Sequence, residues 1–319
     1  MTVATSDTYD IRKRAILVKV KTKVLGTKKK DKEATKKAAK DHNANKDQIA
    51  VVKDIVNRKN PLFKKVEKIR GLIRNTFLTS TGPWDDDWHV ISTKKYGSFR
   101  QVEEDLIAQA YEAVDEVIKY WEDLKAEAKI NLGDLYDENL YPSADHLRAH
   151  FSFELLTEVM PDRSNTILDL DKARTDKIIA DAKAEDGKRM ETLTDHIHQV
   201  VREELEGMIA TLADFGDAIP DSKRTRTFRD SLIKRMAALA DTLPGLNIKG
   251  DVRLDRLSRK IAAKLTTVNA VELRGKKVRG DNRTDERREA EAATKREEVS
   301  NDAKEILDDL DGIFGNPAA

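Results

Sequence analysis

Between positions 98 and 133 no proline interrupts the chain, and apolar residues return every three or four positions: Val102, Leu106, Ala110, Val114, Val117, Trp121, Leu124 and Ala128. That spacing puts them on one face of an α-helix, and a stripe this long must be covered by another element. Ser98 followed by Gln101 reads as a capping box, and Gly133 as the stop. The spacing predicts one helix over 98–132.

The same signal recurs along the chain. Asn60-Pro61 marks a helix start, because Asn caps free amides and Pro at the first position loses no bond. Leu62, Val66, Ile69, Ile73 and Phe77 follow as a stripe, ending near Ser80 before Gly82-Pro83. Pro142-Ser143 opens a helix expected to carry Leu147, Phe151, Leu155 and Val159 on one side until Pro161. Residues 171–215 contain no proline and read as one very long helix, or two broken near Gly187, closed by Pro220. Further helices are expected at 228–242, 252–267 and 284–310. Alternation is confined to 15–24, where Ile16, Val18, Val20 and Val24 oppose Lys19, Lys21 and Lys23 as in a strand. Its expected partner is 88–92.

Aromatics make up 5% of the 319 residues and charged residues 37%, a composition that suits helices more than sheets. The expected fold is therefore mainly α: an elongated helical bundle or hairpin protein, coiled-coil-like in its long helices, with a small two-stranded β element near the N-terminus. Expected boundaries are a flexible tail at 1–14, an α-rich body with the β-ribbon at 15–162, a long helical hairpin at 163–250, and C-terminal helices and tail at 251–319.

The net charge of +1 conceals three blocks: residues 1–80 carry +14, residues 81–169 carry −12, and residues 170–319 carry −1. Such blocks either neutralise one another within the fold or face partners of opposite sign. Seven of the thirteen residues at 28–40 are lysine. Lys28, Lys29, Lys30, Lys32, Lys36, Lys37 and Lys40, with Lys64, Lys65, Lys68, Arg70 and Arg74 on the next helix, form the candidate docking set. Phosphates would release counterions on meeting them, making binding sequence-independent and salt-sensitive. Aromatics do not interleave with these charges, so base stacking has little material.

Acidic residues concentrate at Asp85, Asp86 and Asp87, between Trp84 and Trp88. Hard cations favour such oxygens, which makes the triplet the metal candidate; consecutive side chains seldom converge, so the expected role is a structural turn with both indoles packed inward. Asp169 and Asp171 lack the glycine of a calcium loop. His146 and His150 share a helical face without a third ligand, and His196 and His198 point apart. Without cysteine there is no disulfide, thiolate zinc site, iron–sulfur cluster or thiol nucleophile. Gly26-Thr27-Lys28 and Gly275-Lys276-Lys277 fall short of a phosphate-binding loop, and no Gly-x-Ser-x-Gly elbow occurs. No catalytic residue, cofactor or enzymatic activity is expected. No apolar run nears the roughly 18 residues of a membrane span, and Arg12, Lys13 and Arg14 precede no signal-peptide core, so no membrane partner is expected.

Several segments in order, AILVKV at 15–20, GPWDDDWHVI at 82–91, LGDLYDENLYPSADHLRAHFSF at 132–153, MPD at 160–162, TFRDSLIKRMAAL at 227–239, LPGLNIKGD at 243–251 and VELRGKKVRG at 271–280, resemble an uncharacterised phage and bacterial family, a domain of unknown function. The sequence departs from that pattern at 28–40 and 171–212. Genes of the family often lie beside a MoxR-type AAA+ ATPase and a von Willebrand A-type protein similar to a cobaltochelatase subunit. The resemblance implies a non-enzymatic adaptor, scaffold or target of such an ATP-driven system, in the cytoplasm (the host's, where phage-encoded), and it supplies no site residues. The alternative is a sequence-independent nucleic-acid-binding protein using the lysine-rich third. Apolar stripes equally suit a homo-oligomer.

Overall fold

The computed structural model describes residues 7–57, 59–161, 171–215, 230–275 and 283–315, with residues 7–10 by backbone alone. The expectations placed at Asp169, Pro220, Phe228 and 276–280 lie outside them. In chain order the elements are α1 (Asp7–Arg14), β1 (Ala15–Lys23), β2 (Lys28–Asp31), α2 (Lys32–Asp41), β3 (Val51–Asp54), α3 (Pro61–Ser80), β4 (Gly82–Asp85), β5 (Trp88–Ser92), α4 (Thr93–Lys119), α5 (Trp121–Leu132), α6 (Ala144–Leu147), β6 (Ser152–Val159), α7 (Lys172–Ala213), α8 (Asp230–Leu246), α9 (Val252–Leu265), α10 (Ala270–Leu273) and α11 (Asp285–Phe314).

The fold is mixed α/β, and this corrects the expectation of a helical bundle with one two-stranded β element. Among the described residues there is a four-stranded antiparallel sheet in the order β4-β5-β1-β6, and a separate β2–β3 sheet. The expected pair is present: Ala15 lies opposite Ser92 and Val18 opposite His89. The missed strands have physical reasons. Phe151, Leu155 and Val159 lie four apart, and a four-residue step is also two strand periods, so one stripe satisfies both helix and strand. The helix stops after the short α6 and a 3-10 turn at Arg148–His150, and β6 follows. Pro83 reads as a breaker, yet β4 is an edge strand, where a missing amide costs no ladder bond. In the lysine run, Lys28 to Asp31 pair with Asp54 to Val51, and α2 begins only where the Asp31 carboxylate accepts from the Ala34 amide at 2.9 Å.

The chain divides into two compact units. One comprises residues 1–18, 79–97 and 157–319; the other comprises 19–78 and 98–156. The crossings between them fall within β1, α3, α4 and β6.

In the first unit α7 is unbroken through Gly187, and Leu193, Ile197, Val201, Leu205, Met208 and Leu212 are its buried line. They join residues of α8, α9 and α11, including Met236, Ile261 and Ile306, in one apolar cluster. Gly82 in β4 permits the approach of α7: a Cβ there would lie 2.0 Å from Leu193 Cδ1. Pro244 lies inside α8 and has no amide to offer the Ala240 carbonyl. The Ser258 hydroxyl donates to that carbonyl instead, at 2.7 Å.

In the second unit the cluster is built from α3, α4 and α5, with Phe63, Val66, Ile73, Val114, Val117 and Trp121 among its members, and Phe151 and Phe153 beside them. The Trp121 indole donates to the Pro142 carbonyl (2.8 Å), and the Tyr141 hydroxyl to the Ile55 carbonyl (2.6 Å). Helix α4 starts at Thr93, five residues before the expected cap, so Ser98 lies inside the helix and not at its start; a turn at Tyr120 separates α4 from α5. Val102, expected in the stripe, remains 47% exposed, while Glu103 beside it is fully buried.

Candidate docking surface

The twelve candidate cations lie on β2, α2 and α3, all in the second unit. Along strand β2 the lysines alternate between its two faces. Lys29 lies opposite Lys53, on the side where Lys53 is buried, and Lys53 bonds the Asp31 carboxylate at 2.8 Å and the Leu135 carbonyl at 2.6 Å. The Lys53 ammonium first, and then the Ala34 amide, hold the Asp31 carboxyl below its usual range. Lys28 and Lys30 take the other side and are exposed. On α2, Lys32, Lys36 and Lys40 follow at four-residue steps, with Lys37 adjoining, and all four are exposed.

Partners separate these cations further. Lys36 pairs with Glu33 (2.8 Å), Lys65 with Glu116 (2.9 Å) and Arg70 with Glu67 (3.0 Å). Lys28, Lys29, Lys30, Lys32, Lys37, Lys40, Lys64, Lys68 and Arg74 form no ion pair among the described residues. Lys65–Glu116 joins the basic first block to the acidic second block.

A groove of about 450 Å³ adjoins this surface. It is lined by the β1–β2 connector from Val24 to Lys28, by Phe63, Val66, Glu67 and Arg70 of α3, and by Phe151. Sequence reading missed it because its three walls are far apart in the chain.

The acidic triplet sits in the first unit. Trp84 is buried and Trp88 half-buried against the same cluster. Asp86 adopts a left-handed φ of 44°, which Asp tolerates in a tight turn. Asp85 points to Arg189 at 2.6 Å, while Asp86 and Asp87 are exposed. Among the described residues no group of three His, Asp or Glu side chains is placed to hold a metal ion. His146 Nδ1 bonds the Ser143 hydroxyl at 2.7 Å, and the His198 ring stacks on Phe314. His89 contacts the Thr81 hydroxyl at 2.9 Å; burial lowers its pKa and that of His196.

Glu103 was not foreseen. It lies on the line from Phe99 to Ala110, a position that periodicity reserves for an apolar side chain. Both its carboxylate oxygens are buried without a hydrogen-bond partner, and desolvation pushes its pKa up to about 7.

Comparison with protein-family models, with curated proteins and with solved structures gives no match to the chain. No helix among the described residues is long and apolar enough to cross a membrane.

Proposed function

We propose that the protein is a non-enzymatic docking protein, and that the second unit engages an acidic partner through the lysine face of β2 and α2. The observation that carries this reading is the set of cations left without an ion pair although an acidic block follows in the same chain. Exposed, uncompensated charge repels itself, and a partner of opposite sign relieves that repulsion while steering association. The family resemblance suggests the partner: an AAA+ ATPase or a von Willebrand A-type protein, for which this chain would serve as adaptor. The same lysines support a second reading, sequence-independent binding to nucleic acid by counterion release.

The test is a pull-down of the tagged protein from its native cells, with and without nuclease, read by mass spectrometry. Protein partners that persist after nuclease support the docking reading. Partners that vanish with nuclease hand the surface to nucleic acid, and the purified protein should then lose oligonucleotide affinity steeply between 50 and 200 mM salt, roughly in proportion to the phosphates contacted.

A further inference from the structure

We propose that the groove between the β1–β2 connector and α3 is a binding site for an amphipathic acidic segment of a partner protein, with one apolar side chain on its floor and a carboxylate at its rim. This rests on the docking reading and names the chemistry that the partner presents.

The floor is apolar. Leu25, Phe63, Val66 and Phe151 are buried there, and Val24 stands half-buried at the edge. A volume of about 450 Å³ is ligand-sized and far larger than a packing void. The rim carries two cations, Lys28 and Arg70, beside the Glu67 carboxylate that Arg70 already pairs, and it has donors to spare. The Lys28 ammonium makes no hydrogen bond or ion pair among the described residues. Arg70 uses only Nη1, toward the two Glu67 oxygens at 3.2 and 3.0 Å, so its Nε and Nη2 stay open to a second carboxylate. A guanidinium edge matches a planar carboxylate in two parallel bonds.

Two observations favour a protein segment. Phe63 and Phe151 are 7% and 4% exposed, so they offer apolar edges and no free ring face on which a base could stack. Gly26, Lys28 and Glu67 are exposed along the rim, and Lys28 shares its face of β2 with Lys30. An acidic chain leaving the groove therefore continues onto further cations, whereas an isolated small molecule would be only partly enclosed.

The test uses the full chain and two fluorescein-labelled synthetic peptides, Asp-Asp-Phe-Asp-Asp and Asp-Asp-Ala-Asp-Asp, titrated by fluorescence anisotropy. Wild type should prefer the phenylalanine peptide at least tenfold, as burial of one aromatic side chain allows. Arg70→Ala should weaken that peptide at least fivefold. Val24→Trp, which fills the mouth without changing charge, should erase the preference. Gly26→Glu is the second probe of the mouth: a Cβ at Gly26 meets nothing within 4 Å, so the fold accepts it while a carboxylate enters the rim. The triple change Lys32→Glu, Lys37→Glu, Lys40→Glu should weaken both peptides alike and keep their ratio. Equal affinity of the two peptides for wild type overturns the proposal, as does a preference that survives both Val24→Trp and Gly26→Glu, or one abolished by excess oligothymidylate in wild type. The peptide ratio does not depend on the native partner, so a failed pull-down with an intact ratio removes the docking reading alone.

Discussion

The helical seam of the first unit and the lysine face of the second treat the same residue type in opposite ways. Between α9 and α11, Lys260 pairs with Glu305 (2.7 Å) and Asp309, and Lys264 with Asp302 (2.8 Å) and Glu305 (2.7 Å). Arg202 of α7 reaches Asp311, and Arg274 reaches Asp230. On β2 and α2 the carboxylates are few: Asp31 and Glu33 are already engaged, and Asp41, the last residue of α2, forms no ion pair among the described residues. The difference teaches where to look for a partner. Cations matched by facing carboxylates close an internal interface, and cations left unmatched mark a surface whose complement is elsewhere.

The comparison breaks first if the seam is not held by its apolar layer. Ile306 is fully buried in the cluster beneath the ion pairs. Ile306→Ala should cost about 2–5 kcal/mol of stability, the usual range for a large-to-small change in a core. Chemical denaturation measures it, and a loss below about 1 kcal/mol would mean that the ion pairs, not the packing, hold the seam.

Next in size is a pH effect on the second unit. Burial holds the Glu103 pKa at about 7 in the folded chain, against 4.5 for a solvated glutamate. A carboxyl raised on folding favours the native state while protonated in it. That contribution is complete below pH 4.5 and is lost as pH rises through 7, for a total of about 3 kcal/mol. Glu103→Gln imitates the protonated acid. It should leave stability at pH 5 nearly unchanged and raise it by up to about 3 kcal/mol at pH 8. Equal effects at both pH values would show that Glu103 finds a partner in solution.

These two sites differ in how legible they were. Ile306 falls on an ordinary apolar stripe, and the helices at 61–80, 172–213 and 252–265 lie close to their expected spans because their periodicity runs long. Glu103 sits where that periodicity predicts an apolar residue, so no pattern announces it. Strands β2, β3, β4 and β6 escaped because each depends on a remote partner more than on its own spacing. Lysines 28–40 were legible as a basic tract, but whether they meet carboxylates depends on which helix faces lie opposite. The groove joins the 24–28 connector, α3 and Phe151, and only the fold brings these together.

A smaller effect on stability, with a clear effect on binding, is expected from reversing the lysine face. Changing Lys28, Lys32, Lys37 and Lys40 together to Glu should reduce partner retention at least tenfold, about 1.4 kcal/mol. The melting temperature should hold steady or rise slightly, because no described ion pair is broken and like charges are thinned. A fall in melting temperature that parallels the loss of partner would make these lysines structural and erase the contrast with the seam.

The smallest effect concerns the seam's own cations. Hydrogen bonds from Lys260 and then Lys264 hold the Glu305 carboxyl down to about 2. A carboxyl lowered on folding stabilises the native state above its unfolded pKa of about 4.5, and that contribution is lost as pH falls toward 2. Lys264 and Glu305 are well solvated, so water and salt screen most of their attraction. Lys264→Met keeps the aliphatic stem and removes the charge. It should lower the melting temperature slightly at pH 7 and low salt, and the difference from wild type should shrink in 1 M salt and disappear at pH 2. A loss that persists under both conditions would trace to an uncharged difference between the two side chains, because the stem is retained and the charge is screened or its partners are protonated. The paired cations of the seam would then contribute no charge effect of their own, and only the unpaired lysines of β2 and α2 would act through charge.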